Sequence, residues 1–176
     1  MKTKTIKNLG VAAVFLLTVA ITPVLAQVSK EVTFQVSLVE WYDLYISQNT
    51  ITFTDVAPSI VENPGTVSIP ANEGAINVRA FAIIIPSSSL QLTVTAQGDL
   101  TSGSYTIPAN TISWTASGTG YQAGSLSAGT AIPVGSWSGS VFHWHEGTLN
   151  FSFLRDYTTQ APGTYTLTAT YTLSKV

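Results

Sequence analysis

The chain has 176 residues, and only 9% of them are charged, whereas a soluble domain usually carries about 25%. Threonine (25) and serine (19) supply a quarter of the residues. The low charge excludes a disordered polyelectrolyte tail. Seven lysines and arginines are too few for the basic surface that binds nucleic acid. The lack of cysteine excludes a disulfide scaffold.

The first 26 residues have the pattern of a secretory signal peptide. Three lysines precede an apolar run from Leu9 to Ile21, and Ala26 provides a small residue for cleavage. The run is shorter than the roughly 20 residues of a spanning helix. An uncleaved anchor, or a pilin-type leader cut after Gly10, are the alternatives. We therefore predict a signal peptide over residues 1–26 and a secreted, extracellular or cell-surface protein, periplasmic if it is retained in a Gram-negative cell.

Residues 27–176 are predicted to form a single domain, since about 150 residues can bury one adequate core. This part of the chain has four basic and nine acidic side chains. A net acidic domain is not attracted to nucleic acid or to an anionic membrane surface. We expect membrane contact only through the signal peptide before its cleavage.

Apolar and polar residues alternate along the chain with the period of a β-strand. In 164–174 the odd positions are apolar and the even positions are threonine or serine, and Glu31–Leu38 repeats the pattern. The segment Ala75–Ile85 ends in a wholly apolar run from Ala80, which is typical of a strand buried on both faces or of a buried helix, and its β-branched residues favour the strand. A hairpin around Pro86–Ser89 would join it to Leu90–Ala96. Further strands are predicted at Trp41–Ser47, Thr50–Val56, Thr66–Ile69, Ser104–Ile107, Thr111–Thr115, Ala131–Trp137, Thr148–Phe153 and Gly163–Ser174.

Many short strands separated by glycine and proline are typical of all-β sandwiches and barrels. No segment after the leader has the apolar periodicity of a stable helix. The predicted fold is an antiparallel β-sandwich, immunoglobulin-like or pilin-like, that follows a cleaved signal peptide.

Two groups of residues are candidates for binding. His143 and His145 would point to one face of a strand and could offer two ligands to a metal ion, although exposed imidazoles without a metal are the simpler reading. Aromatic residues in the segment rich in glycine and serine could stack on sugar rings, or they could pack in the core. These aromatic residues are Trp114, Tyr121, Trp137 and Trp144.

The sequence contains no arrangement typical of an enzyme. Cysteine is absent, and Trp137 occupies the position where a nucleophile elbow requires serine. The nine carboxylates form no local motif for acid–base chemistry. We therefore predict no enzymatic activity and no cofactor.

With so few charges, edge strands would be poorly protected from pairing with another chain. The segment Glu31–Leu38 has the alternation that strand donation to a neighbouring subunit uses, and pairing within its own domain is the alternative. Self-association or contact with other surface proteins is expected, with cell-wall glycan as another partner.

The stretch from Gly163 to Ser174, GTYTLTATYTLS, resembles the closing strand of the bacterial WxL surface domain, with Tyr171 in place of tryptophan. Similar closing strands occur in spore-coat-U-like and pilin-like secreted proteins. The resemblance implies a secreted, non-enzymatic bacterial surface or appendage protein. The predicted function is therefore a structural or adhesive role at the cell surface, with a carbohydrate-binding module as the alternative.

Overall fold

A computed structural model describes residues 30–55, 65–85, 87–138 and 142–176, and it divides the chain after Ser37 into two units. The predicted leader lies outside the described residues. In the first unit, residues 30–37 contain no strand, so the strand predicted over Glu31–Leu38 is wrong. Alternation makes a segment able to join a sheet, but a strand also needs a hydrogen-bonded neighbour. Its apolar side chains are exposed, by 64% at Val32, 90% at Phe34 and 79% at Val36.

The regular elements in the described part of the second unit, residues 38–176, are strands and one 3₁₀ turn, Ala109–Thr111. The strands are β1 (Trp41–Ile46), β2 (Thr66–Ile83), β3 (Ser89–Ala96), β4 (Leu100–Ser102), β5 (Tyr105–Ile107), β6 (Ile112–Ser117), β7 (Gly124–Ser125), β8 (Ala131–Ser138), β9 (His145–Asp156) and β10 (Ala169–Lys175). No helix in the described part of the chain is long and apolar enough to cross a bilayer.

Two main sheets organise these strands. One has the order β1-β2-β9-β6-β7, the other has the order β10-β3-β8, and β4 pairs with β5 separately. Every pair of named strands is antiparallel. The predicted all-β class with antiparallel sheets is therefore confirmed.

One hydrophobic core receives the apolar side chains of both sheets. Leu90, Leu92 and Val94 of β3 are almost completely buried, and so are Val78 of β2 and Leu149 of β9. Each of these side chains contributes about 1.5–3 kcal/mol by leaving water. The polar positions between them in β3 are Gln91, Thr93 and Thr95, which are only partly exposed. The strict period-two pattern of Leu90–Ala96 thus predicted this strand well.

The connection between β2 and β3 differs from the prediction. A hairpin around Pro86–Ser89 is wrong, because β2 pairs with β1 and β9 while β3 pairs with β10 and β8. Two strands that are neighbours in the sequence therefore lie in different sheets. The last strand, β10, is also shorter than predicted and starts at Ala169.

The apolar run from Ala80 to Ile85 is not buried on both faces. Ala80, Ala82 and Ile84 are buried, whereas Ile83 and Ile85 are 36% and 54% exposed. The small alanines face the core and larger apolar side chains face outward. Because both kinds of residue count as apolar, the sequence pattern concealed the alternation.

An irregular part of β2 contains Glu73, whose side chain holds the segment 50–54 in place. The register of β2 against β9 shifts between Pro70 and Ala75. The Glu73 carboxylate accepts hydrogen bonds from the Thr52 amide at 2.9 Å and from the Thr52 hydroxyl at 2.6 Å. These bonds hold the pKa of the Glu73 carboxyl below its ordinary value. The side chains of Ile51 and Phe53 are consequently turned towards the core.

Candidate functional site

An open cavity of about 1160 Å³ lies within the second unit. Segment 46–55 forms one part of its lining and residues 161–171 form another, with side chains of β2, β6 and β9 also contributing. Its apolar lining includes Ile51, Phe53, Ile112, Phe153 and Leu167. The cavity is as large as a typical small-molecule site, and its lining is mainly apolar.

Arg155 and Asp55, which both line this cavity, form an ion pair. The side chain of Arg155 is only 10% exposed, and its Nε is 3.3 Å from the Asp55 carboxylate. Its guanidinium also donates to the Gln160 carbonyl at 2.6 Å and lies over the ring of Tyr157. The Tyr157 hydroxyl donates to Asp55 at 2.6 Å. A buried arginine needs such partners, so this group ties segment 46–55 to β9.

The indoles of Trp114 and Trp137 are in the core. Their exposed fractions are 3% and 6%. Trp114 Nε1 donates to the Gln122 carbonyl at 2.9 Å, and Trp137 Nε1 donates to the Thr119 carbonyl at 2.7 Å. The sequence left open whether these two side chains bind a ligand or pack in the core, and in the structure they pack in the core. Neither ring face is open to a sugar.

Tyr121 is half-buried and joins two strands to the loop that carries it. Its hydroxyl lies 3.0 Å from the Val78 carbonyl and 2.8 Å from the His145 carbonyl. The ring packs edge-on against Trp137, with centroids 5.0 Å apart. The pKa of its hydroxyl is well above the ordinary value, mainly because of burial. Tyr121 is thus a structural tie between β2 and β9.

The rings of His143 and His145 are adjacent, although only His145 lies on a strand, at the start of β9. The ring centroids of His143 and His145 are 4.5 Å apart. His145 stacks on Trp137 at 4.7 Å with an interplanar angle of 22°. Within the described residues, no group of three or more histidine or acidic side chains is arranged to hold a metal ion. The pair alone offers two of the three or four ligands that a zinc site needs.

The stacked environment of His145 predicts a loss of stability in mild acid. Burial, and secondarily the charge of His143, lower the pKa of His145 below its ordinary 6.5. As the pH falls below 6.5, the unfolded chain takes up a proton that the folded chain does not bind, so unfolding becomes easier. The loss of unfolding free energy stops increasing once the pH is below the pKa of His145 in the folded state. Urea unfolding midpoints at pH 7.5 and pH 5.5 should show this fall.

The matched variants separate the two causes. The variant His145→Gln should remove most of the fall between these two pH values, and His143→Gln should remove a smaller part. The lowered pKa values of Glu73 and Asp156 affect stability only near and below their ordinary values of 4.5 and 3.8. An equal fall in wild type and His145→Gln would contradict the assignment to His145.

Neither a scan against protein-family models nor a search of curated proteins gave a match to this chain.

A second aromatic group lies on the outer face of the larger sheet. The ring centroids of Trp41 and Phe81 are 5.5 Å apart, and those of Phe81 and Trp144 are 5.3 Å apart. The Arg79 guanidinium lies 4.7 Å from the centre of the Trp144 ring, and its Nε is 3.0 Å from the Glu146 carboxylate. We call these five residues the outer aromatic cluster.

Trp144 is the only member of the outer aromatic cluster among the four aromatic residues predicted to bind a ligand. Trp41 and Phe81 were missed, because Phe81 lies in the run that was interpreted as buried on both faces. The alternation within β1 could have identified Trp41, because Trp41, Asp43 and Tyr45 occupy the outward positions of this strand. The register places Asp43 directly opposite Phe81.

Proposed function

We propose that the chain is an exported bacterial surface protein without catalytic activity, and that its copies assemble by strand donation. Residues 32–38 of one copy would enter the apolar cavity of another. The observation that carries the proposal is the exposure of alternating apolar side chains in this segment, including 90% at Phe34 and 90% at Leu38. Full burial of each such side chain is worth about 1.5–3 kcal/mol.

The proposed architecture is an antiparallel β-sandwich. The two main sheets contribute to one core, which supports this arrangement. The cavity lies where residues 47–55 and 161–168 contain no strand. A donated segment would supply both the apolar side chains and the backbone hydrogen bonds of an added strand.

The scarcity of charge also supports assembly. Among the described residues, three ion pairs, Arg79–Glu146, Arg155–Asp55 and Lys175–Glu40, use six of the charged side chains. The strands at the ends of the two main sheets are β1, β7, β8 and β10. Such edges favour pairing between chains when few charges protect them. The resemblance of the closing segment to bacterial surface domains agrees with this role.

The test compares two neighbouring substitutions in residues 27–176. Phe34→Asp places a charge on the apolar face of the donated segment, whereas Gln35→Asp places the same charge on its polar face. We expect wild type and Gln35→Asp to form a series of oligomers in size-exclusion chromatography with light scattering, and Phe34→Asp to remain monomeric. A monomeric wild type would contradict the proposal.

Disulfide cross-linking can test whether the cavity accepts the donated segment. The chain contains no cysteine of its own, so only the introduced cysteines can form a disulfide. A Phe34→Cys/Ile51→Cys variant should give a ladder of disulfide-linked oligomers under oxidising conditions, and a Gln35→Cys/Ile51→Cys control should give much less. A deletion variant lacking 27–39 should bind a peptide of that sequence. A stable monomer that ignores the peptide would exclude strand donation.

A further inference from the structure

Segment 50–54 continues the edge of the larger sheet beyond β1. Its side chains alternate between exposed and half-buried, as in a strand. Both backbone groups of Thr52 are bonded towards β2, the amide to the Glu73 carboxylate and the carbonyl to the Asn72 amide, each at 2.9 Å. Backbone groups of successive residues in an extended chain point to opposite sides. The N–H and C=O groups that point away from β2 are therefore those of Ile51 and Phe53.

Segment 164–168 continues the edge of the smaller sheet in the same way, ahead of β10. Its side chains also alternate between exposed and half-buried. Thr166 exchanges two backbone hydrogen bonds with Thr101, at 3.0 and 3.1 Å, and the Thr168 carbonyl accepts one from the Gln97 amide at 2.8 Å. By the same alternation, the backbone groups that point away from this pairing are those of Tyr165 and Leu167.

The two segments line the same apolar cavity, and we call the space between them the seam. Lys175 of β10 pairs with Glu40, which precedes β1, so the two edges are neighbours at one end. In the part of the chain that the structure describes, four residues along the seam have no hydrogen-bond partner for their backbone groups: Ile51, Phe53, Tyr165 and Leu167. Two rows of donors and acceptors at strand spacing fit an extended polypeptide, whereas a lipid tail cannot satisfy them.

The length of the chain keeps Phe34 away from the seam of its own copy. Trp41 lies opposite Ile83, and from Ile83 to Ala75 the eight residues of β2 cover about 26 Å. Thr52 pairs with β2 beyond Ala75. The seven residues from Phe34 to Trp41 span at most about 25 Å when fully extended, and turning back along β1 shortens this reach further. Phe34 can therefore reach this level only in a neighbouring copy.

We propose that the seam is the acceptor for strand donation, on which this inference rests, and that a second copy's residues 32–38 bind there with hydrogen bonds on both sides. The donated strand joins the edges of the larger and the smaller sheet. Its seven residues are about 23 Å long, which covers the roughly 17 Å of each five-residue edge. The side chains that it adds to the core are Val32, Phe34, Val36 and Leu38.

Amide hydrogen exchange, followed residue by residue by NMR, tests the pairing on both sides. The acceptor is the Phe34→Asp variant of residues 27–176, and the probe is a peptide of residues 27–39. The Thr52 and Thr166 amides are the matched controls, because they already donate within one copy and should exchange slowly with and without peptide. We expect the peptide to slow exchange tenfold or more at four amides, those of Ile51, Phe53, Tyr165 and Leu167.

A longer connection tests the limit on reach. Sixteen glycine and serine residues inserted between Leu38 and Val39 would let the segment reach the seam of its own copy, where a tethered segment has an effective concentration of about millimolar. We expect this variant to be monomeric at micromolar concentration, with the same four amides protected. The same insert between Gln27 and Val28 is the matched control, and it should form oligomers like wild type.

Three results would overturn the proposal. Slower exchange along only one of the two edges would mean that the strand adds to a single sheet. Protection of all four amides before peptide is added would mean that the seam is already filled within one copy. Equal oligomer formation by the two insertion variants would contradict the limit on reach. Each of these results is distinct from a monomeric wild type, which would contradict strand donation itself.

Discussion

Replacing Trp137 with alanine should lower the free energy of unfolding by about 4 kcal/mol, the usual range for removing a large buried aromatic side chain being about 3–5 kcal/mol. The indole packs against residues from outside its own strand, stacking on His145 of β9 and meeting the ring of Tyr121. Removing it leaves a cavity between the two sheets and the Thr119 carbonyl without its donor. Urea denaturation of wild type and variant measures the loss.

Trp41→Ala is the matched control, because the same side chain is removed from a position that is 52% exposed. We expect a loss of about 1 kcal/mol or less, as is usual for a surface substitution outside the core. Equal losses of unfolding free energy in the two variants would contradict a core position for the Trp137 side chain. The comparison also shows why a Trp137 substitution is unsuitable for testing sugar binding.

Replacing Gly120 with alanine should destabilise the fold by about 3 kcal/mol or more, from two separate causes. The φ angle of Gly120 is +85°, a conformation that costs a residue with a Cβ roughly 1–2 kcal/mol. An added Cβ would also clash with Nε1 of Trp137 and would lie 2.7 Å from the Ser136 carbonyl oxygen. Overpacking of this kind adds about 1–3 kcal/mol.

Gly129→Ala separates these causes. Its φ angle is +67°, and an added Cβ would meet nothing within 4 Å. We therefore expect only the conformational cost of about 1–2 kcal/mol, measured by the same urea titration. A Gly120→Ala loss no larger than that of Gly129→Ala would show that the loop moves away from the indole at little cost.

The strands with strict alternation could be predicted from the sequence, and their partners could not. The pattern of Leu90–Ala96 identified β3 because each apolar side chain in it is buried on one face. The prediction that β3 forms a hairpin with the preceding strand was wrong. Short connections usually make hairpins, and no residue in this connection indicates that the chain passes from one sheet to the other. For Glu31–Leu38, the side-chain pattern was present but the backbone partner was not specified.

The aromatic residues illustrate a different limit. Glycines around Trp114 and Trp137 indicated surface loops, but an added Cβ at Gly124 would lie 2.7 Å from the Trp114 ring, and one at Gly135 would lie 2.5 Å from the Trp137 ring. These glycines make room for the buried indoles, because a side chain at either position would collide with the ring. Conversely, Trp41 and Phe81 are on an outer face that only the strand register identifies.

The position of β10 has a consequence for the order of folding. This strand forms one side of the smaller sheet by pairing with β3, yet residues 97–168 separate the two in the chain. Pairing between segments so far apart in the chain costs loop-closure entropy before the stabilising contacts form. All-β proteins with many such pairings fold in about milliseconds to seconds. The core would stay open during synthesis until Ala169–Lys175 is available, so the chain would remain unfolded long enough to interact with other chains or with chaperones.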